Sequence, residues 1–391
     1  MQSDLAIRAV EAVKIGDTAY CKFLSANDTG DTGSHQSGLY VAHCAWPILF
    51  DSKGTRGENK DKYVRIRWQE SFYTESRFIY YGRGTRNEYR ITRFGRNFEH
   101  IRPECTGDLM VLVKRRSDEY DGYFLSTEDD INYFLESFGM SPAETNQVIK
   151  KDITTDEESF MNAAFSEYLD SLADEFPTSF EIANKAREIS IQSPGYNNDV
   201  IRAPDTEILK WINLEYNLFR SIERARYSHI ITNGFSSIEE FIETANMVLN
   251  RRKSRAGRSL EHHLAAVFSE NDIRFTPQCT TEGKKRPDFI FPGENEYHNV
   301  AFSKEHLTFL GAKTTCKDRW RQILNEADKI EEKHLFTLQQ GISAMQLEEM
   351  KSHSVILVVP RAYINTYPRQ YRSEILSLMS FVNLVNRKQQ I

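Results

Sequence analysis

Residues 287–315, PDFIFPGENEYHNVAFSKEHLTFLGAKTT, contain two short apolar runs joined by a polar connection. PDFIF begins with proline, which is tolerated at the first residue of a strand, and LTFLGA is rich in strand-forming residues. We therefore predict two strands, with Asp288 at the start of the first and Lys313 at the end of the second. Helical patterns precede them and the apolar run SVILVVP follows, so we expect an α/β core with a mixed central sheet.

A third segment, DRWRQILNEADKIEEKH at 318–334, has apolar residues at helical spacing and predicts a long helix. Its predicted buried stripe consists of Trp320, Ile323, Leu324, Ala327 and Ile330. Glu326 lies off the centre of this stripe. Its side chain either reaches the strands that carry Asp288 and Lys313, or it faces solvent and pairs with a basic neighbour.

Two carboxylates and a lysine are side chains with which an active site can catalyse the hydrolysis of a phosphodiester. A bound cation neutralises developing charge and activates water, and carboxylate oxygens suit Mg²⁺. A lysine at a strand end can orient the attacking water or stabilise the pentavalent phosphate. Each residue alone also has an ordinary explanation, a turn for Asp288 and an edge-strand lysine for Lys313. We take Asp288, Lys313 and Glu326 as candidate catalytic residues, with Asp288 and Glu326 as candidate Mg²⁺ ligands.

Together these residues resemble the PD-(D/E)xK nuclease superfamily, whose sheet carries an acidic residue on one strand and an acid-x-lysine on the next. The sequence departs from that motif, because the position two before Lys313 is Gly311, which has no side chain to bind a cation. One branch, the restriction enzymes that read CC and GG doublets, has this carboxylate on a helix thirteen residues after the lysine. Glu326 stands at that spacing from Lys313.

The same branch has a base-reading triplet four residues after the catalytic lysine, and Lys317, Asp318 and Arg319 occupy it here. Lysine and arginine donate to guanine O6 and N7 in the major groove, while a carboxylate accepts from the cytosine amino group. The resemblance implies that the three read adjacent G·C pairs. Capping the first turn of a helix is an additional explanation for Asp318.

The resemblance narrows to the EcoRII family over residues 235–391, on the blocks NRRKSRAGRSLEHHL, PDFIFPG, KTTCKDRWRQILNEADKI and HLFTLQQG. It implies a Mg²⁺-dependent type II endonuclease that cuts double-stranded DNA at a CCWGG-like site as a homodimer, with a cytosine DNA methyltransferase as companion. A tyrosine of the family implies Tyr297 as a further active-site residue, although a packed or loop tyrosine is an equal alternative. The cationic run at 251–258 either contacts phosphates or is a solvated charged loop.

The N-terminal half has a different pattern. From about 18 to 125, short β-prone runs (AYCKFLSA, GLYVAH, KYVRIRW, RFIYYG, LMVLVKR, YDGYFLS) alternate with Gly, Asn and Asp clusters, which predicts a barrel or sandwich. TEDDINYFLESF then begins a helix, with Thr127 as its cap. We predict a first domain at 1–150, a linker at 151–176 and the nuclease domain at 177–391.

Seven arginines and only two acids lie between Ser76 and Arg102, interleaved with aromatic residues, which favours a groove-reading or a solvated surface. The blocks SANDTG, SHQSGLY and TRNEYRITRFGR resemble the B3-like pseudobarrel with which the EcoRII family binds a second, effector copy of its site. The resemblance implies allosteric activation of the IIE kind and effector-DNA contacts from His35, Tyr40, Arg77, Arg86, Asn87, Glu88 and Arg90. Two family lysines are replaced here by Gly84 and Tyr89.

The composition limits the class of protein. The net charge of −6 and the pI near 6.0 mean that DNA affinity has to come from local clusters. Five scattered cysteines without a CxxC pair favour neither a disulfide framework nor a zinc site, and indicate a reducing cytoplasm. Without a signal peptide or a run of about 18 apolar residues, we expect no membrane partner. The rival functions are a repair nuclease of the same superfamily and a non-cleaving B3-like regulator.

Overall fold

The computed structural model describes residues 3–31, 38–95, 98–149, 159–172, 176–193 and 199–390. The elements of the N-terminal half are α1 (Asp4–Ile15), β1 (Thr18–Phe23), β2 (Leu39–Val41), α2 (Trp46–Leu49), β3 (Lys60–Trp68), β4 (Phe72–Tyr81), β5 (Glu88–Thr92), β6 (Leu109–Lys114), β7 (Glu119–Leu125), α3 (Glu128–Ser137) and β8 (Gln147–Val148). The six predicted strands are confirmed as β1, β2, β3, β4, β6 and β7. The helix α1 and the arginine-containing strand β5 were not predicted.

These eight strands form one curled sheet in the order β2-β5-β4-β3-β7-β6-β1-β8, in which only the β3–β7 pair is parallel. Its inner face is filled by aromatic side chains, with Trp68, Tyr89 and Tyr120 almost fully buried. The helices α1 and α3 cover the other face. Thr127 caps α3 as predicted, because its hydroxyl accepts a hydrogen bond from the backbone N–H of Asp130.

The elements of the C-terminal half are α4 (Ser159–Ser171), α5 (Ser179–Gln192), α6 (Pro204–Asn233), α7 (Ile238–Glu270), β9 (Thr276–Pro277), β10 (Phe289–Phe291), α8 (Glu294–His298), β11 (Thr308–Lys313), β12 (Lys333–Thr337), α9 (Ala344–Ser352), β13 (Val355–Val359), β14 (Leu376–Ser377) and α10 (Leu378–Gln389). The sheet order is β14-β13-β12-β11-β10-β9. Strands β11 to β14 pair in parallel, and β9, β10 and β11 pair antiparallel. The predicted mixed sheet is confirmed, and the chain is a two-domain α+β protein.

Both faces of this second sheet are covered, which is the arrangement that apolar parallel strands need. One face packs on α6, α7 and α10, and the other packs on residues 316–330 and α9. Side chains of β11 alternate between the two faces, with Leu310 and Ala312 on the first and Phe309 on the second. A Cβ at Gly311 would lie 2.9 Å from a methyl group of Ile323, so the segment that follows β11 packs too closely for an acidic side chain at this position.

The predicted long helix from residue 318 is wrong. The chain forms a 3-10 turn at Arg319–Asn325, Glu326 is extended, and Ala327 has a left-handed φ of 52°. The predicted stripe is nevertheless buried at Trp320, Ile323, Ala327 and Ile330. Lys333 donates hydrogen bonds to the carbonyl oxygens of Ala327 (3.0 Å) and Ile330 (2.6 Å), so a buried ammonium group satisfies this backbone in place of helical hydrogen bonds.

The cationic run at 251–258 is not a loop, because α7 continues through it without interruption. Two of its arginines are structural. Arg255 is buried and donates to Glu215 (3.2 Å), and Arg252 pairs with Glu223 (2.8 Å) on α6. Phosphate contact by this run therefore remains a prediction for its exposed members, which include Lys253 and Arg258.

The predicted linker at 151–176 contains a helix, α4, whose Phe165 is buried against α5 and α6. This packing attaches the later part of the predicted linker to the C-terminal helices, and the three domain limits stay predictions. All five cysteines are free, in agreement with the absence of a predicted disulfide framework. Within the described ranges, every helix is too short or too polar to traverse a lipid bilayer.

Candidate active site

Asp288 and Lys313 meet where β10 begins and β11 ends, as the sequence predicts. The antiparallel register places Phe289 opposite Leu310, which brings the residue before β10 beside the last residues of β11. The Oδ2 atom of Asp288 accepts hydrogen bonds from the backbone N–H of Ala312 at 2.8 Å and from Lys313 Nζ at 3.1 Å. Asp288 is 6% exposed, so this ion pair lies at a largely desolvated strand edge.

Glu326 is half-buried, and its carboxyl group interacts electrostatically with both Asp288 and Lys313. Burial, and after it the negative charge of Asp288, raise the pKa of the Glu326 carboxyl to about 7, although Lys313, Lys333 and Lys285 act in the opposite direction. A carboxyl group held beside another carboxylate is the electrostatic arrangement that a divalent cation relieves. Asp288 and Lys313 are therefore in contact, and Glu326 interacts electrostatically with both of them from the end of a 3-10 turn instead of from a helix.

We expect Glu326→Gln to stabilise the metal-free protein at pH 8. The folded protein favours protonated Glu326, so stability from this group is complete below its ordinary pKa of 4.5 and is lost as the pH rises through about 7. Glutamine does not titrate, so the variant's advantage in free energy of unfolding should grow over this window to roughly 2 kcal/mol, allowing for partial exposure. Urea denaturation in EDTA between about pH 5 and 8 measures the difference. A difference that does not change with pH would contradict the assignment.

A third carboxylate, Glu261 on α7, lies beside Asp288 and was missed by the sequence analysis. The Nε2 atom of Gln278 donates to Glu261 Oε2 and to Asp288 Oδ1, both at 3.0 Å. Burial raises the pKa of the Glu261 carboxyl, and the charge of Asp288 adds to this effect. The sequence did contain a signal for it, because Glu261 is an acidic residue directly after Leu260, which forms a buried helical stripe with Leu264 in RSLEHHL.

The oxygen donors of this site fit Mg²⁺ better than a metal that needs nitrogen or sulfur ligands. Mg²⁺ is commonly bound by one or two carboxylates, with water and substrate phosphate completing its six positions. Asp288 and Glu326 supply two such carboxylates. In the part of the chain that the structure describes, no group of three or more His, Cys, Asp or Glu side chains converges as a closed metal cage.

Tyr297 is close to the site but contacts other groups. Its hydroxyl donates to the Glu282 carboxylate at 2.7 Å, and the same carboxylate accepts from the backbone N–H of Asp328. The backbone N–H of Lys329 donates to the Tyr297 hydroxyl at 3.4 Å. Among the described residues, no hydrogen bond joins Tyr297 to Asp288, Lys313 or Glu326. Tyr297 supports the backbone that follows Glu326, and its direct participation in the reaction stays a prediction.

The predicted base-reading triplet is covered by the N-terminal domain. Lys317 is 7% exposed and forms an ion pair with Asp108. The Asp318 carboxylate accepts from the N–H of Glu128 at 3.0 Å, and Arg319 pairs with Asp129 at 2.9 Å. All three side chains are thus bonded to the N-terminal domain, Lys317 at the residue before β6 and the other two at the start of α3.

Glu128 is the centre of this interdomain contact. Its carboxylate accepts hydrogen bonds from the backbone N–H groups of Asp318 (2.9 Å) and Arg319 (3.0 Å) and from the Thr315 hydroxyl (3.1 Å). Acidic oxygens of the N-terminal domain thus occupy backbone and side-chain donors of the C-terminal domain. The space between α3 and Lys313 is a cavity of about 380 Å³, which is too small for a DNA duplex.

The predicted effector-binding residues that the structure describes lie on β2, β4, β5 and the chain before β5. Tyr40 pairs in register with Arg90, and Asn87 and Glu88 follow Arg86 at the same edge. Arg86 is exposed and stacks over Tyr81, whereas Arg77 pairs with Asp61 at 2.8 Å. Arg90 is 4% exposed and binds Glu88 (3.1 Å) and the Gly38 carbonyl, so its first role is to join β2 to β5. The predicted contact of His35 lies outside the described residues.

Two family profiles match the chain. The profile described as "Restriction endonuclease EcoRII, N-terminal" matches residues 14–161, and "EcoRII C terminal" matches residues 219–382. The type II restriction enzyme EcoRII from Escherichia coli is 37% identical over 398 residues, covering 93% of this chain and 92% of that protein.

Solved structures with a similar fold include Ecl18kI in complex with uncleaved, modified DNA, determined without its metal. That structure is 18% identical and covers 59% of this chain and 84% of its own, with a TM-score of 0.46. The PspGI–substrate DNA complex is 14% identical and covers 54% of this chain and 94% of its own, with a TM-score of 0.43.

Proposed function

The chain belongs to the EcoRII family of type II restriction endonucleases, and from this premise we propose that it hydrolyses double-stranded DNA at a CCWGG-like site with Mg²⁺ bound by Asp288 and Glu326. The observation that carries the proposal is the ion pair of Lys313 with Asp288 at 3.1 Å, next to a Glu326 carboxyl whose pKa is raised to about 7. These are the three groups that phosphodiester hydrolysis requires, gathered at one edge of the sheet.

Each side chain has a distinct task in the proposed reaction. When bound, Mg²⁺ would supply charge neutralisation at the phosphate and a more acidic water. The backbone N–H of Ala312 orients the Asp288 carboxylate for metal binding. The same carboxylate holds the Lys313 ammonium group at the end of β11. Lys313 then donates hydrogen bonds to the attacking water or to the phosphate oxygens as negative charge develops. The desolvated position of Asp288 strengthens these interactions.

The partners follow from the substrate. Cutting both strands of a symmetric site needs two active centres related by a twofold axis, so we propose a homodimer. Lys317, Asp318 and Arg319 are proposed to read G·C pairs in the major groove. Protection of the host's own sites calls for a companion cytosine DNA methyltransferase, and both enzymes would work in the cytoplasm.

We further propose that the N-terminal domain controls cleavage. In the described conformation Asp108, Glu128 and Asp129 bind the proposed base-reading triplet, and α3 lies over the site, so the substrate and this domain compete for the same donors. Binding of a second DNA copy at the edge that carries Tyr40 and Arg86 would favour a conformation in which α3 has left the cleft. The coupling between the two DNA sites would be the free-energy difference between these conformations.

Digestion of plasmids tests the proposed function. In Mg²⁺ the full-length protein should convert a plasmid with several CCWGG sites into discrete fragments, and EDTA should prevent the reaction. A plasmid without such sites is the control and should stay intact. A smear would indicate a repair nuclease, and intact plasmid with a mobility shift would indicate a DNA-binding regulator; either result would overturn the proposal.

A further inference from the structure

Gln278 is the one described side chain that hydrogen-bonds to both Glu261 and Asp288. It follows β9, and its backbone N–H donates to the carbonyl oxygen of Asp288 at 3.2 Å. Its side-chain amide nitrogen donates to Asp288 Oδ1 and Glu261 Oε2, both at 3.0 Å. A primary amide has two N–H groups, so one nitrogen can serve both carboxylates at once.

The backbone of Gln278 is in an unfavourable conformation. Its φ of 50° lies in the left-handed region, which residues with a Cβ seldom adopt. Glycine would adopt this conformation without penalty, yet the position holds a long amide side chain. Strain of this kind persists where the surroundings require it, and here it directs the amide to the two carboxylates.

The hydrogen bonds of the Gln278 amide to Asp288 and Glu261, called the bridge below, matter because the other oxygen of Asp288 already accepts hydrogen bonds from other groups. Oδ2 accepts from Ala312 and Lys313, so Oδ1 is held only by Gln278 among the described residues. Without a donor between them, Glu261 and Asp288 would repel each other, because each carries a negative charge in a half-buried or buried place. The amide lowers that repulsion and joins α7 to the start of β10.

We propose that Gln278 is a positioning residue, which holds Glu261 of α7 beside Asp288 so that both carboxylates present oxygens to the catalytic cation. This inference rests on the proposed metal-dependent hydrolysis and adds to it the group that sets the spacing of the acids. Residues that orient metal ligands in this way commonly change metal affinity by about 10- to 100-fold when they are removed.

Gln278→Gly tests the proposal, because glycine keeps the left-handed backbone and removes only the bridge. Titration of the DNA-free protein with Mn²⁺, followed by the electron paramagnetic resonance signal of the free ion, should give a dissociation constant about tenfold higher than wild type. DNA binding in EDTA should be unchanged, which shows that the variant is folded. Thr280→Ala, an exposed change in the same loop, is the matched control and should bind Mn²⁺ like wild type.

A double-mutant cycle with Glu261→Gln separates positioning from a general loss of structure. If Gln278 acts through Glu261, Gln278→Gly should have little further effect on Mn²⁺ affinity once Glu261 is neutral. Equal Mn²⁺ affinity in wild type and Gln278→Gly would overturn the inference, as would additive effects of the two changes. Cleavage of plasmid by the wild type is scored separately, so a failure of the proposed function is distinguished from a failure of this bridge.

Discussion

Lys313→Ala should reduce the rate of DNA cleavage by roughly 10²–10³-fold or more while leaving DNA binding intact. Lys313 is the last residue of β11, and its Nζ lies 3.1 Å from Asp288 Oδ2 at the proposed cation site. Its removal takes away the donor that stabilises charge on the phosphate, but it leaves Asp288 bonded to Ala312 and Gln278. Single-turnover cleavage and a mobility-shift assay measure the two properties.

The matched control for this variant is Lys304→Ala. Lys304 is an exposed lysine in the connection before β11, so its removal changes the net charge equally without touching the site. We expect near wild-type cleavage from it. Asp288→Ala should reproduce the loss seen with Lys313→Ala. An active Lys313→Ala enzyme would rule out the assignment of the catalytic site, whatever the behaviour of Asp288.

Glu128→Ala should raise the cleavage rate on DNA that carries a single recognition site by at least about tenfold. The Glu128 carboxylate accepts three hydrogen bonds from Thr315, Asp318 and Arg319 of the nuclease domain, and bonds to a charged group contribute roughly 1.5–3 kcal/mol each. Losing about 1.4 kcal/mol from the covered conformation alone increases the open population tenfold while that population is small. Initial rates on one-site and two-site DNA measure the effect.

The control for Glu128→Ala is Glu119→Ala, an exposed acid of the same domain at the start of β7. It should leave the one-site rate unchanged. On DNA with two sites, the gap between Glu128→Ala and wild type should narrow, because effector DNA already favours the open conformation. An unchanged one-site rate in a folded Glu128→Ala protein would argue against control by α3.

Several strands of each domain could be predicted because their signals are local. Alternating or continuous apolar runs between Gly, Asn and Asp clusters identified six N-terminal strands, and PDFIF and LTFLGA identified β10 and β11 with their terminal residues. The segment at 318–334 shows the limit of this reasoning. Four of its five predicted stripe residues are buried and Leu324 is partly buried, but burial at helical spacing does not require a helix when a side chain such as Lys333 binds the backbone carbonyls.

Glu261 could not be assigned to the site from the sequence, because its contact depends on the meeting of three distant segments. It lies on α7, Gln278 follows β9, and Asp288 precedes β10, and only the packing of α7 against the sheet brings them together. The same holds for Lys317 and Arg319. The family resemblance implied base reading for them, but nothing local indicates that Asp108 and Asp129 bind them.

The amino-acid sequence by itself predicted the two-domain organisation and the mixed sheet of the nuclease half, because residue type and spacing along the chain carry those signals, and its resemblance to a known family pointed to Asp288, Lys313 and Glu326. The tertiary structure decided which acid joins the trio, how Glu326 reaches it without a helix, and what covers the triplet that begins at Lys317. Those features are contacts between segments far apart in the chain. Hydrogen bonds and burial between such segments depend on how the whole fold packs, and no local pattern encodes them.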